Sequence, residues 1–153
     1  MKKTFPENHP LLATSYDKIG KVLNKIGGFS EAVPYYEEVL KIRQKTLPPN
    51  HPDLATSYNN TALIYKNMGE YSKALSYFEK ALEIQQKTFP VNHQLLAITY
   101  KNIGMLYDDM GEHLKALSYL ERALDICQRS LPASDPTFKT VKERIQIVKN
   151  ERE

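Results

Sequence analysis

Apolar residues recur at spacings of three and four positions along most of the chain, which is the period of an amphipathic helix. The clearest stripe lies in the middle of the sequence and comprises Leu54, Tyr58, Thr61, Ala62 and Tyr65. After the interruption "NMGEYS", a second stripe comprises Ala74, Leu75, Phe78, Ala81, Leu82 and Ile84. Gly69 within the interruption favours the end of the first helix. The pattern therefore predicts two consecutive helices joined by a short turn.

This two-helix pattern returns at a fixed step along the chain. The repeated tyrosines Tyr16, Tyr58 and Tyr100 are 42 residues apart. When the segment from Lys45 is compared with the segment from Lys87, 23 of 42 positions are identical. One position of the first helix always carries a small residue that lets helix backbones approach closely: Gly20, Ala62 and Gly104. Because one helix pair cannot bury both apolar stripes alone, we expect neighbouring pairs to stack.

The predicted fold is all-α, an α-α superhelix in which one array fills residues 1–153. It comprises three helix-turn-helix repeats, at about 9–44, 51–86 and 93–128, and a capping helix at about 135–150. The capping helix keeps Phe138, Val141, Ile145 and Val148 on one face and charged residues on the other. The first repeat has no equivalent cap, and the chain begins in repeat phase. We therefore expect a piece of a longer array or an engineered protein, whose uncapped first repeat is available for self-association.

Composition narrows the classes of function. The net charge of +3 is too small by itself to indicate nucleic-acid binding, because such a surface usually shows a clustered excess of lysine and arginine. No apolar run reaches the length of a membrane span, and the first residues lack the apolar core of a signal peptide. The single cysteine fits a reducing compartment. We therefore expect a cytoplasmic location and no nucleic-acid or membrane partner.

Residue types that carry chemistry do not converge in the sequence. The linker histidines that recur once per repeat are His9, His51 and His93. Stacked repeats place them about a helix diameter apart, too far to share one metal ion. His113 stands where the other repeats have Phe29 and Tyr71, so we expect a packing role, and Cys127 lacks a histidine or acidic partner. We predict no enzyme activity, no cofactor and no metal site.

The stretch "HPDLATSYNNTALIYKNMGEYSKALSYFEKALEI" resembles the tetratricopeptide repeat, and in particular the 42-residue repeats of kinesin light chains. The resemblance covers nearly the whole chain. It implies a scaffold for protein binding, in which the first helices line a concave groove that holds an extended peptide. Kinesin light chains also carry a coiled coil for their heavy chain. Because this sequence has no sustained heptad pattern, that activity is not expected here.

The resemblance implies that the polar face of each first helix lines the groove. The candidate peptide-binding residues are Lys18, Lys21, Lys25, Asn59, Asn60, Leu63, Asn67, Ile98, Lys101, Asn102 and Met105. Side-chain amides both donate and accept hydrogen bonds, so they can satisfy the backbone of an extended peptide. The lysine stripe favours acidic ligand residues, and Leu63, Ile98 and Met105 favour one large apolar anchor. The structural alternatives are a solvated polar face and packing between neighbouring first helices.

Two further functions stay open on the sequence. The array can serve as a structural spacer or a self-assembling element cut from a larger multidomain protein, with its uncapped first repeat stacked on another chain. It can also recruit substrates for an enzyme in the same polypeptide. The sequence does not identify the partner.

Overall fold

A computed structural model describes residues 10–90, 93–132 and 134–152, with only the backbone of residue 152. The helices are α1 Pro10–Lys25, α2 Phe29–Thr46, α3 Pro52–Asn67, α4 Tyr71–Thr88, α5 Gln94–Asp109, α6 His113–Ser130 and α7 Pro136–Arg152. Within the described ranges every regular element is a helix, which confirms the all-α class. None of these helices combines the length and the apolar content needed to cross a membrane.

The chain groups into two compact units, one ending at Ile84 and the other beginning at Gln85. We call them unit 1 and unit 2. Unit 1 contains α1, α2, α3 and most of α4, and unit 2 contains the end of α4 with α5, α6 and α7. The helices follow the three predicted pairs and the capping helix, whereas a single domain over 1–153 stays a prediction. His9 and the predicted start of the first repeat lie outside the described residues.

Each first helix ends at a glycine with a positive φ angle. Gly69 has φ of 80°. The backbone N–H of Glu70 donates to the Tyr65 carbonyl at 2.9 Å, and the Gly69 N–H donates to the Lys66 carbonyl at 2.9 Å. This is the Schellman arrangement, which satisfies the last carbonyls of a helix and requires a left-handed residue that glycine adopts without strain. The glycines that share this conformation are Gly27, Gly69 and Gly111.

Two of the linker histidines begin helices. The Nδ1 atom of His51 accepts a hydrogen bond from the Asp53 backbone N–H at 3.0 Å, and Nδ1 of His93 accepts one from the Leu95 N–H at 3.1 Å. Each bond satisfies a backbone donor that has no partner within its helix. The prediction that these histidines belong to local linker structure is therefore confirmed. Their specific role is to cap the N-terminal ends of α3 and α5.

The predicted apolar stripes form the core of unit 1. All five residues of the α3 stripe are buried, and on α4 Phe78 is fully buried. One buried cluster joins α2, α3 and α4 and comprises Leu40, Leu54, Ala55, Tyr58, Ala81 and Ile84. A smaller cluster of Ala13, Val39 and Ile42 joins α1 to α2. The helix pairs therefore bury their stripes against one another, as the repeat requires.

Hydrogen bonds join α2 to α3 and α4 to α5, which are second helices and the first helices that follow them. In unit 1 Arg43 donates to the Ser57 hydroxyl at 2.6 Å, and Gln44 donates to the Tyr58 hydroxyl at 3.0 Å. In unit 2 the corresponding bonds lie 42 positions on: Thr99 donates to Gln85 at 2.5 Å, and Gln86 donates to Tyr100 at 3.1 Å. Matching bonds at matching positions fix the register between consecutive helices.

The next corresponding pair of positions holds apolar side chains. Cys127 stands at the position of Arg43 and Gln85, and Val141 stands at the position of Ser57 and Thr99. Both Cys127 and Val141 are fully buried. Burial raises the pKa of the Cys127 thiol, which disfavours the reactive thiolate and agrees with a packing role.

The capping helix α7 packs its predicted face onto α6. Val141, Ile145 and Val148 are buried in a cluster with Ala116, Leu117, Leu120 and Ala123. Phe138 is half-buried. The apolar stripe of α6 is therefore covered by a helix whose other face is charged, as expected of a terminal cap.

Candidate functional site

The predicted lysine stripe lies on the exposed surface of α1 in unit 1. Lys18, Lys21 and Lys25 are all exposed. Lys21 forms an ion pair with Asp17 one turn earlier, with Nζ 3.0 Å from Oδ2. The Asp17 side chain is 16% exposed, so it compensates part of the charge of the stripe. We therefore expect Lys18 and Lys25 to carry most of any attraction for an acidic ligand.

The predicted asparagine strip lies on α3, also in unit 1. Asn59, Asn60 and Leu63 are half-buried and Asn67 is exposed. The Asn67 amide donates to the Asn24 side-chain oxygen of α1 at 3.1 Å. This bond joins the C-terminal ends of α1 and α3 on the surface. The bond thus links α1, which carries the lysine stripe, to α3, which carries the asparagine strip.

The remaining candidate residues lie on α5 in unit 2. Ile98, Lys101, Asn102 and Met105 are all half-buried. Met105 packs against the buried cluster between α6 and α7. This contact favours the packing alternative for Met105, because part of its side chain is already occupied by the core.

A model of the tetratricopeptide repeat family matches residues 11–87 and again residues 53–129. The chain belongs to the tetratricopeptide repeat family. The two overlapping matches follow the repeats predicted from the 42-residue period. A search among curated proteins found no match.

Solved structures resemble this tetratricopeptide repeat chain over nearly its whole length. The putative kinesin light chain repeats of Podosopora anserina are 24% identical, with a TM-score of 0.83, over 92% of this chain and 66% of that one. BtubC (BKLC) of P. vanneervenii is 27% identical, with a TM-score of 0.84, over 98% of this chain and 59% of that one. The N-terminal domain of stress-induced protein-1 of C. elegans is 21% identical, with a TM-score of 0.63, over 92% of this chain and 98% of that one.

These comparisons confirm an array of the kinesin-light-chain-like type. Membership of the family confirms the general function, since tetratricopeptide repeats are modules for protein–protein interaction. This chain spans 66% of the length of the P. anserina structure and 59% of the length of BtubC.

A ladder of tyrosines and cations runs along the tetratricopeptide repeats and was not predicted. In unit 1 Tyr77 stacks on Tyr65, with ring centroids 5.6 Å apart, and on Tyr58 at 6.1 Å. Lys73 lies over the Tyr65 ring, and Lys80 lies over the Tyr58 and Tyr77 rings. Burial raises the pKa of Tyr65, and the acceptor Glu37, 2.5 Å from its hydroxyl, raises it further. Tyr65 is therefore a neutral hydrogen-bond donor in this ladder.

The same ladder recurs in unit 2 at positions 42 residues later. Tyr119 stacks on Tyr107 at 5.5 Å and lies 6.2 Å from Tyr100. Lys115 covers Tyr107, and Arg122 covers Tyr100 and Tyr119. The sequence signal was present, since the rings and the cations keep the repeat spacing. It was missed because the tyrosines were assigned to packing alone.

An open cleft of about 730 Å³ lies along the second helix of the third repeat, in unit 2. It is lined by Tyr100, Leu114, Leu117, Ser118, Glu121, Arg122, Asp125 and Ile126. None of the predicted groove residues lines this cleft. Charges of both signs face it, so it favours no particular class of ligand.

Proposed function

We propose that this chain binds an extended, acidic peptide segment of a partner protein on the paired surfaces of α1 and α3. The observation that carries the proposal is the hydrogen bond between Asn24 and Asn67, which places the lysine-bearing α1 beside the asparagine-bearing α3. Lys18 and Lys25 are exposed there. The chain acts by binding and without catalysis, and its location is cytoplasmic.

The two helices offer groups for different parts of such a ligand: amides on α3 for its backbone and lysines on α1 for its acidic side chains. Amides such as Asn60 can pair with both the N–H and the C=O groups of an extended backbone. The lysines attract acidic ligand side chains and speed their encounter. Leu63 is half-buried and leaves part of its side chain for an apolar anchor. In unit 2 the half-buried α5 residues Ile98, Lys101 and Asn102 offer the same kinds of chemical group, whereas Met105 already packs against the core.

A fluorescein-labelled peptide with one tryptophan among aspartates and glutamates tests the proposal. The variant Lys18→Glu with Lys25→Glu is expected to weaken binding at least ~10-fold at low salt, because two attractive charges become repulsive. The measurement is fluorescence anisotropy at two salt concentrations. The loss should shrink at the higher salt, since exposed charges are screened.

The matched control is Lys41→Glu with Lys45→Glu, which changes the charge of unit 1 equally on the exposed surface of α2. This control should bind like the parent within about 2-fold, apart from weak long-range effects. Equal losses in both double variants would show non-specific attraction and reject the α1–α3 site. The absence of saturable binding by the parent would reject the acidic-peptide proposal itself.

A second candidate function is self-association through α1. Its exposed apolar side chains are Leu11, Ile19 and Val22, and Ile26 follows directly after the helix; Val22 and Ile26 are 60% and 73% exposed. Val22 occupies the repeat position of Ile64 in α3, which is fully buried in the folded array. The position is therefore built to receive a helix, and we propose the α1 of a second copy in a symmetric pair.

Light scattering across protein concentrations tests this assembly. The mass of the parent should rise toward that of a dimer, and Val22→Glu should remain a monomer, because a charge would then be buried in the interface. The exposed position Ser30 gives a control, Ser30→Glu, that should dimerise like the parent. A monomeric parent at every concentration would contradict self-association and leave the peptide site unaffected.

A further inference from the structure

Three potential metal ligands from three helices meet in unit 2. Asp108 lies near the end of α5, His113 begins α6, and Glu151 lies near the end of α7. His113 Nδ1 is 2.9 Å from Asp108 Oδ1 and 3.5 Å from Glu151 Oε2. All three ligand atoms lie within 4.8 Å of one another. The helix ends thus bring together an imidazole and two carboxylates that are distant in sequence.

The equivalent positions in unit 1 hold amides, whereas this place in unit 2 holds two carboxylates. Two repeats earlier, the positions of Asp108 and Glu151 hold Asn24 and Asn67. Those amides form a hydrogen bond, because one donates and the other accepts. Two ionised carboxylates only accept, so they need a proton or a cation between them. His113 stands beside this pair where the other repeats have an aromatic ring.

We propose that Asp108, His113 and Glu151 form a binding site for one divalent transition-metal ion, with zinc as the best match. Nitrogen and carboxylate oxygen are ordinary zinc ligands, with bonds of about 2.0–2.2 Å. Ligand atoms around a tetrahedral ion with such bonds are about 3.4 Å apart. The observed 2.9 Å and 3.5 Å separations to His113 Nδ1 bracket that value. Three protein ligands leave a fourth position for water.

The surroundings hold the buried ligand in place. The Asp108 side chain is only 6% exposed, and its second oxygen, Oδ2, lies 3.2 Å from Nη2 of Arg144. Arg144 thereby occupies one carboxylate oxygen and leaves Oδ1 toward His113, as an outer-shell partner of a ligand does. The His113 and Glu151 side chains are 32% and 43% exposed, which leaves a path for an ion to enter.

An ion at this site would tie the end of the capping helix to the turn between α5 and α6. The acidic side chains of Asp108 and Glu151 lie against the same imidazole, so a cation between them would offset the repulsion of two negative charges. Metal binding offsets that repulsion and stabilises the folded state by an amount that rises with the logarithm of the ratio of free metal concentration to Kd. The expected role is a structural clamp on α7, independent of any peptide bound by unit 1.

Equilibrium dialysis against zinc chloride in a non-chelating buffer tests the proposal, with thermal unfolding as a second readout. The parent should bind one zinc ion per chain and unfold at a higher temperature with zinc. His113→Phe restores the aromatic character of this repeat position and removes one ligand. Glu151→Gln removes a second ligand at an exposed position. Each variant should bind zinc at least ~10-fold more weakly and lose most of the thermal shift.

The matched control is His51→Asn, which removes a histidine in unit 1 and retains an N-cap acceptor. It should bind zinc like the parent. Circular dichroism of the zinc-free variants checks that each is folded, and Glu151→Gln keeps the test valid if His113→Phe is not. Equal zinc binding by the parent and both ligand variants would overturn the proposal. Loss of zinc binding in His51→Asn would also overturn it, because the ion would then lie elsewhere.

Discussion

Replacing Leu120 by alanine should lower the free energy of unfolding by about 2–5 kcal/mol, the range for a buried leucine. Leu120 is fully buried in the cluster that joins α6 to the capping helix α7. Truncation removes its contacts and leaves a cavity, because the surrounding helices relax only partly. Urea denaturation followed by circular dichroism measures the loss.

The control lies on the same helix and uses the same substitution. Leu114 is 68% exposed, so Leu114→Ala should change the unfolding free energy by no more than about 0.5 kcal/mol. A similar loss in the two variants would show that burial does not determine the effect. A loss below about 1 kcal/mol in Leu120→Ala would contradict the packing described for unit 2.

Gly104→Ala should destabilise the protein by about 1–3 kcal/mol, although alanine is the better helix former. A Cβ atom at Gly104 would lie 2.8 Å from Leu120 Cγ and 3.1 Å from the Ala116 carbonyl oxygen. Neither atom is the free end of a flexible side chain, so α5 and α6 would have to move apart. Urea denaturation of the variant measures the cost.

Gly20→Ala supplies the matched control, because Gly20 occupies the same repeat position on α1. Its added Cβ would meet the Tyr36 ring at 3.2 Å. The ring can shift by a few tenths of an ångström, and the gain in helix propensity offsets the strain, so we expect a change within about 1 kcal/mol. Stabilisation by Gly104→Ala would contradict the close approach of α5 and α6.

The substitutions Gly104→Ala and Leu120→Ala should also be coupled. In the Leu120→Ala background, the methyl group that Gly104→Ala adds no longer meets the leucine side chain. The double variant should therefore be more stable than the sum of the single effects predicts, by about 1 kcal/mol or more. Additive effects would show that Gly104 and Leu120 do not share one contact.

The repeat period explains why so much of the fold was predictable. A helix buries one face at a period of 3.6 residues, so Leu54, Tyr58 and Tyr65 could be assigned to the core from spacing alone. Gly69 could be assigned to a helix end because the left-handed conformation favours glycine. The capping helix could be predicted because Val141, Ile145 and Val148 lie on one face of the helix and charged residues lie on the other.

For the candidate site, the sequence predicted which helix faces are exposed and polar, but not the bonds that their side chains form. The sequence indicated which face of α1 carries the lysines, but it did not show that Asp17 pairs with Lys21. It placed Asn67 on the polar face without revealing its bond to Asn24. The Asn24–Asn67 bond depends on which side chains meet between helices, 43 residues apart in sequence, and the polar pattern does not encode that distance.

The class of fold, the helix pairs and the family follow from the amino-acid pattern alone, because most positions of the apolar stripes recur every 42 residues. The roles of individual polar residues became visible only in the folded chain. His113 was interpreted as a packing residue from its aromatic counterparts, and it is half-buried, yet it lies 2.9 Å from Asp108. Burial is periodic along a helix, whereas the meeting of Asp108, His113 and Glu151 depends on how the ends of three helices are placed in space.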